Sequence, residues 1–353
     1  MEFLPDLMTM LDGTPVSHPD QWEKRRRELI DILRKNIFGY APATLSPGRG
    51  EILEVDQKCC AGHAEMETVK ITVDTEKGPF SFPMLYFRNT MQEKSPLFLL
   101  VNFRPEAYDR YFPIEEIVDN GFSLAMIYYK DVTSDDGDWE NGLAPCFTRP
   151  TDGTGFGKIT LWAWAASRAL DYLLTRPEVD ADHVAVIGHS RLGKTALWCG
   201  AQDERIRYVI SNDSGCAGAA LERDHNPGGE TTRDITRNFP YWFCENYLQY
   251  IDHPEKMPFD QHFLVAASAP RFVAVGSAHL DLWADPINEQ KCCLAASPAW
   301  KLFGKQGYMG PEVPANVGEN FHDGEISYHL RHGTHFLSRR DWAEYMTFIK
   351  KHW

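Results

Sequence analysis

The stretch Val184–Lys194, VAVIGHSRLGK, constrains this chain more than any other. Val184 to Ile187 form an uninterrupted apolar run that reads as a strand buried on both faces, which belongs to a mostly parallel sheet covered by helices. Gly188 closes the strand and a helix begins at about Arg191, so the connection is a tight turn with Ser190 on it. A serine raised on a strand-to-helix turn presents its hydroxyl at a helix N-terminus, where backbone N–H groups favour developing negative charge. The spacing is G-x-S-x-x-G, with Leu192 in the place of a second glycine and Gly193 after it. A serine here also suits an N-cap, and the residues around it decide between the two roles.

The rest of the chain alternates strands and helices. Apolar residues at helical spacing (Trp22, Leu29, Ile30, Leu33, Ile37) predict a helix over about 20–38, capped by Asp20 and stopped by Gly39. Extended segments follow at Glu65–Val73, Phe80–Phe87, Pro96–Asn102 and Phe122–Tyr129. Asp131–Thr154 is polar and glycine-rich and reads as a long loop. A helix through Ile159–Leu173, the strand at Val184, a helix from Arg191, strands Arg207–Ser211 and Arg271–Ser277, and a closing helix Arg339–Lys350 complete the pattern. The expectation is one domain over 1–353, a three-layer α/β/α sandwich with a mostly parallel central sheet.

A serine nucleophile needs a base, and in the α/β-hydrolase chain order an acid and then a histidine follow it. AHLDLWADP, after the Arg271–Ser277 strand, offers Asp281 and Asp285. YHLRHGTHFLS, read as the last loop, offers His329, His332 and His335. His335 is preferred because it lies past Gly333, just before the closing helix. The H-x2-H-x2-H spacing raises a metal site, but no helical H-E-x-x-H is present and Gly333 interrupts a helix, so no metal is expected. GTGFGK at Gly153–Lys158 lacks the first P-loop glycine and follows no strand, so phosphate binding is not expected either.

A net charge of -14 argues against a nucleic-acid partner, whose phosphates need a basic surface. The eight cysteines show no metal-ligand spacing and are expected as free thiols. MEFLPDLMTMLDGTP carries no basic, apolar leader and no segment suits a membrane helix, so the expectation is a chain that is cytoplasmic or secreted with its leader removed.

In this order, DGTPVSHPDQWEKRR, GHSRLGK, SNDSGCAGAAL, NFPYWF, PFDQH, APR, DLWADP and HLRHGTHFLS resemble the glucuronoyl esterases of carbohydrate esterase family fifteen and their acetylxylan-esterase-like bacterial relatives. The resemblance implies the α/β-hydrolase fold, no cofactor or metal, and cleavage of the ester joining 4-O-methyl-glucuronic acid on xylan to lignin alcohols. By position it makes Ser190 the nucleophile, His335 the base, and Arg191 an oxyanion-stabilising neighbour through both its backbone N–H and its guanidinium. It makes Lys194 a donor to the sugar and Trp283 an aromatic wall, while an alignment through NFPYWF sets Glu230 and Asn238 at the sugar hydroxyls. The acid forks between Asp281, the usual place in the fold, and Asp213, with Asp281 preferred. The rivals are an acetylxylan esterase and a catalytically silent carbohydrate binder using Trp139, Trp283 and tyrosines as stacking platforms.

Overall fold

In the computed structural model, residues 4–353 apart from Asp224 are described. Among them ten strands form one sheet: β1 Arg49–Asp56, β2 Ala64–Thr75, β3 Gly78–Asn89, β4 Ser95–Asn102, β5 Ser123–Tyr128, β6 Val179–His189, β7 Tyr208–Asn212, β8 Phe272–Ala278, β9 Asn320–Phe321 and β10 Ile326–Arg331. Their order is β1-β2-β3-β5-β4-β6-β7-β8-β10-β9. The six strands from β5 to β10 in that order pair in parallel. β1 to β3 join β5 as an antiparallel extension, and β9 pairs antiparallel with β10 at the other edge.

Alternation along the central strands divides the core between the two faces of the sheet. Leu97, Leu99 and Val101 of β4 and Val184 and Val186 of β6 pack under helices Lys158–Leu173 and Arg191–Gln202. Phe98, Leu100, Ala185 and Ile187, one residue out of phase, pack under helices Ile114–Asp119 and Arg339–Lys351. Both faces are covered, which is why these strands read as continuous apolar runs.

The N-terminal helix runs Pro19–Leu33 and continues as a wider turn to Phe38, ending at Gly39 with φ 79°. Its N-cap is His18, not Asp20: Pro19 fits the first helical position, and the Gln21 side chain accepts from the N–H groups of Ser17 and His18. The segment read as the last loop begins as β10, so His329 lies buried in a strand. Helix Pro286–Ala296 was not foreseen. All eight cysteines are unpaired, and no helix among the described residues is long and apolar enough to cross a membrane.

Candidate active site

β6 delivers Ser190 to the C-terminal edge of the parallel sheet. A Cβ at Gly188 would lie 2.0 Å from the Leu192 carbonyl oxygen, so only glycine lets the helix fold back this closely on its strand. Ser190 has φ 58° and ψ -128°, a conformation a side chain pays for. It is held by its N–H donating to the Asn212 carbonyl at 2.8 Å, while its own carbonyl accepts from Gly193 N–H at 2.8 Å. The serine is thus the apex of a strained turn and caps no helical N–H with its side chain.

The loops after β7, β8 and β10 converge on it. Ser190, Arg191, Lys194, Asp213, Glu230, Trp242, Trp283 and His335 line one cleft of ≈ 160 Å³. His335 Nδ1 lies 2.5 Å from Asp281 Oδ2, a contact that fixes the proton on Nδ1 and leaves Nε2 as the free base. The other two histidines of the motif go elsewhere: His329 Nε2 pairs with Asp341 at 2.9 Å, and exposed His332 stacks on His279. Against His335, ring centroids 4.4 Å apart, packs His189. Burial and the neighbouring His335 depress the His189 pKa to about 3, so this neighbour stays neutral.

Asp213 comes close but points its oxygens differently. Oδ1 accepts from the Ala278 N–H at 2.7 Å and Oδ2 lies 3.4 Å from the Arg331 guanidinium. Burial, aided by Glu289, Asp341 and Asp281, holds its carboxyl well above the usual range, and Arg331 opposes this only in part. Among the described residues, Asp213, Asp281 and His335 each bring one ligand atom within 4.8 Å of the others. The Arg331 cation beside Asp213 is a poor neighbour for a metal ion.

Arg191 is the first residue of helix Arg191–Gln202, so its backbone N–H has no partner within the helix and can meet a negative oxygen. Its guanidinium is anchored by a carboxylate. It pairs with Asp135 and lies over the rings of Trp242 (4.7 Å), Phe239 (5.5 Å) and Phe103 (5.6 Å), because a guanidinium half enclosed by aromatics needs a buried counter-charge. Lys194, only 3% exposed, donates to the Ser214 carbonyl from the same cleft. Burial raises the Glu230 pKa, and Lys194 counters it. Trp283 stands half exposed at the rim.

Two expected positions fall away. Asn238 is the exposed last residue of helix Thr232–Asn238 and does not line the cleft; the chain turns inward after it, so Phe239 and Trp242 form that wall. Trp139 does not line the cleft either, and Arg149 and Lys158 lie over its ring at 4.1 and 4.7 Å. Asp135 and Trp242 were not singled out from sequence.

Glu289, fully buried, ties the cleft floor together. Oε1 accepts from the N–H groups of Ser214 and Gly215 at 2.9 and 3.0 Å, and Oε2 accepts from Ser277 Oγ at 2.5 Å. Burial raises its pKa from 4.5 to about 7 against these hydrogen bonds. Between those values the native state keeps a proton that the unfolded chain has lost, so stability falls as the pH rises through that window, by on the order of 3 kcal/mol. Glu289→Gln removes this dependence. Calorimetry is expected to show its Tm gaining on the wild type between about pH 5 and pH 7; a constant difference would mean Glu289 titrates normally.

The profile of the family described as glucuronyl esterase, fungi, matches residues 112–304. Carbohydrate esterase MZ0003, from an unknown prokaryotic organism, is 34% identical over 99% of this chain and 89% of its own length. The chain belongs to the glucuronoyl esterase family. A 4-O-methyl-glucuronoyl methylesterase of Phanerochaete carnosa is 25% identical over 89% of this chain and 74% of its own. Among solved structures, the glucuronoyl esterase from Solibacter usitatus superposes with a TM-score of 0.90 at 34% identity, covering 99% of this chain and 97% of that one.

Proposed function

We propose that this chain is a serine carboxyl-ester hydrolase that cleaves 4-O-methyl-glucuronoyl esters of xylan, releasing the alcohol and leaving the uronic acid on the polysaccharide. The observation that carries the reading is the convergence on one cleft of Ser190 on its strained turn, His335 with Asp281 on its Nδ1, and the buried cation of Lys194. Ser190 Oγ attacks the ester carbonyl while His335 Nε2 takes its proton, and the Arg191 backbone N–H meets the oxyanion. His335 returns the proton to the departing alcohol, leaving an acyl-enzyme. It then deprotonates the water that hydrolyses it, and Asp281 holds the imidazolium in both steps. No step calls on a metal or cofactor.

Lys194 and Glu230 supply donors and acceptors for the sugar, and Trp242 and Trp283 flank it. The cleft is smaller than the roughly 300–1,000 Å³ of enclosed ligand pockets, which suits one sugar of a polymer dipping into the surface. Lys194 lies one helical turn beyond Ser190, so a charge-assisted contact worth about 1.5–3 kcal/mol is within its reach. Lys194→Ala is expected to lower kcat/KM on benzyl glucuronate roughly 10- to 100-fold and on nitrophenyl acetate far less. An equal effect on both substrates would remove the uronate assignment and leave a generic esterase.

A further inference from the structure

Asp135 lies in the long loop that precedes helix Lys158–Leu173, far in sequence from every residue that lines the cleft, and its side chain is 5% exposed. It takes three partners: Arg191 Nη1 and Tyr129 Oη (3.0 Å) on one oxygen, and Trp242 Nε1 (2.7 Å) on the other. Trp242 in turn stacks flat on Phe239, centroids 3.9 Å apart and planes within 3°, and carries the Arg191 guanidinium on its ring. One carboxylate therefore fixes both the cation beside the nucleophile and the aromatic wall of the cleft. Arg191 lines the cleft beside Ser190, so the cation that Asp135 holds stands next to the proposed nucleophile. A cation held beside an oxygen that gains charge stabilises the transition state more than the ground state.

We propose that Asp135 is a positioning residue for ester hydrolysis, clamping Arg191 and Trp242 so that the Arg191 cation keeps its place beside the reacting ester. The inference rests on the reading of Ser190 as nucleophile. Asp135 touches no substrate and acts through Arg191. With the charge removed, the guanidinium loses its anchor and samples other rotamers, and the loss falls on the transition state because the ground-state carbonyl accepts weakly.

The test is steady-state kinetics on benzyl glucuronate and nitrophenyl acetate for the wild type, Asp135→Asn, Asp135→Glu, Arg191→Gln and Asp135→Asn/Arg191→Gln. Asp135→Asn is expected to lower kcat roughly 10- to 100-fold on both esters with KM moving less than about threefold. Asp135→Glu, which restores the charge, should recover part of that loss and stands in as the probe if the asparagine variant does not fold. The double variant should be little slower in kcat than Arg191→Gln alone, since Asp135 acts on the chemical step through Arg191. Full kcat in Asp135→Asn with only a lowered Tm, equal losses in the asparagine and glutamate variants, or losses that multiply in the double variant would each overturn the proposal. Fluorophosphonate labelling of Ser190 is read in parallel: a wild type that does not label overturns the serine reading and this one with it, whereas labelling with an unaffected Asp135→Asn rate overturns this one alone.

Discussion

Replacing Ser190 with alanine is expected to abolish ester turnover, with kcat falling on the order of 10^4-fold or more. Among the described residues the one other hydroxyl lining the cleft, that of Ser214, is buried and bonded to Ser211 Oγ and Glu289. Removing the hydroxyl leaves the backbone turn to hold itself, since the N–H to Asn212 and the carbonyl to Gly193 and Lys194 make no use of the side chain. Because φ is 58° here, alanine bears the same conformational cost as serine, and the Tm should move little. Circular dichroism alongside the rate separates chemistry from folding. Retention of more than a few per cent of the wild-type rate on any ester would remove Ser190 from its role.

The second large effect is at the acid. Asp281→Asn is expected to cost on the order of 10^3- to 10^4-fold in kcat, because its carboxylate both selects the His335 tautomer and balances the imidazolium formed on attack. Asp213→Asn is expected to cost no more than about tenfold. Its oxygens are spent on Ala278 N–H and Arg331, and a carboxyl held well above its usual pKa carries less of the charge an imidazolium needs. Asparagine there can still accept from Ala278 N–H. Measuring kcat for both single variants and the double on nitrophenyl acetate decides the matter; a larger loss at Asp213 would move the acid to the position after β7.

The proximity of Ser190, Asp281 and His335 was legible in sequence because each position is local or follows from chain order. The apolar run, Gly188 and Ser190 are contiguous, and the loops bearing Asp281 and His335 are where the fold returns its acid and base to the serine. Arg191's direction was not legible, because it is set by Asp135, 56 residues away, and by Trp242, which binds Asp135 across 107 residues. Nothing near Asp135 in sequence marks it as anything but a loop carboxylate. Missed elements have similar causes. β1 is an edge strand whose Ile52, Leu53 and Val55 are exposed, so no buried alternation marks it. β10 hides its strand character behind His329 and Arg331, which are buried by pairing with Asp341. Helix Pro286–Ala296 buries Asn288, Glu289 and Gln290 and shows no apolar stripe, yet Asp285 followed by Pro286 was an available start signal: Asp285 caps the helix and Pro286 takes its first position.

The central claim, that the cleft selects the acyl side of a glucuronate ester, is tested most directly by kcat/KM of the wild type on benzyl glucuronate and on acetylated xylan, with benzyl alcohol and acetate release measured in the same preparation. The account predicts rapid release of benzyl alcohol and acetate release slower by at least about tenfold, the lower bound set by one charge-assisted contact to the uronate. Acetate released from xylan with no benzyl alcohol formed from the glucuronate would contradict it.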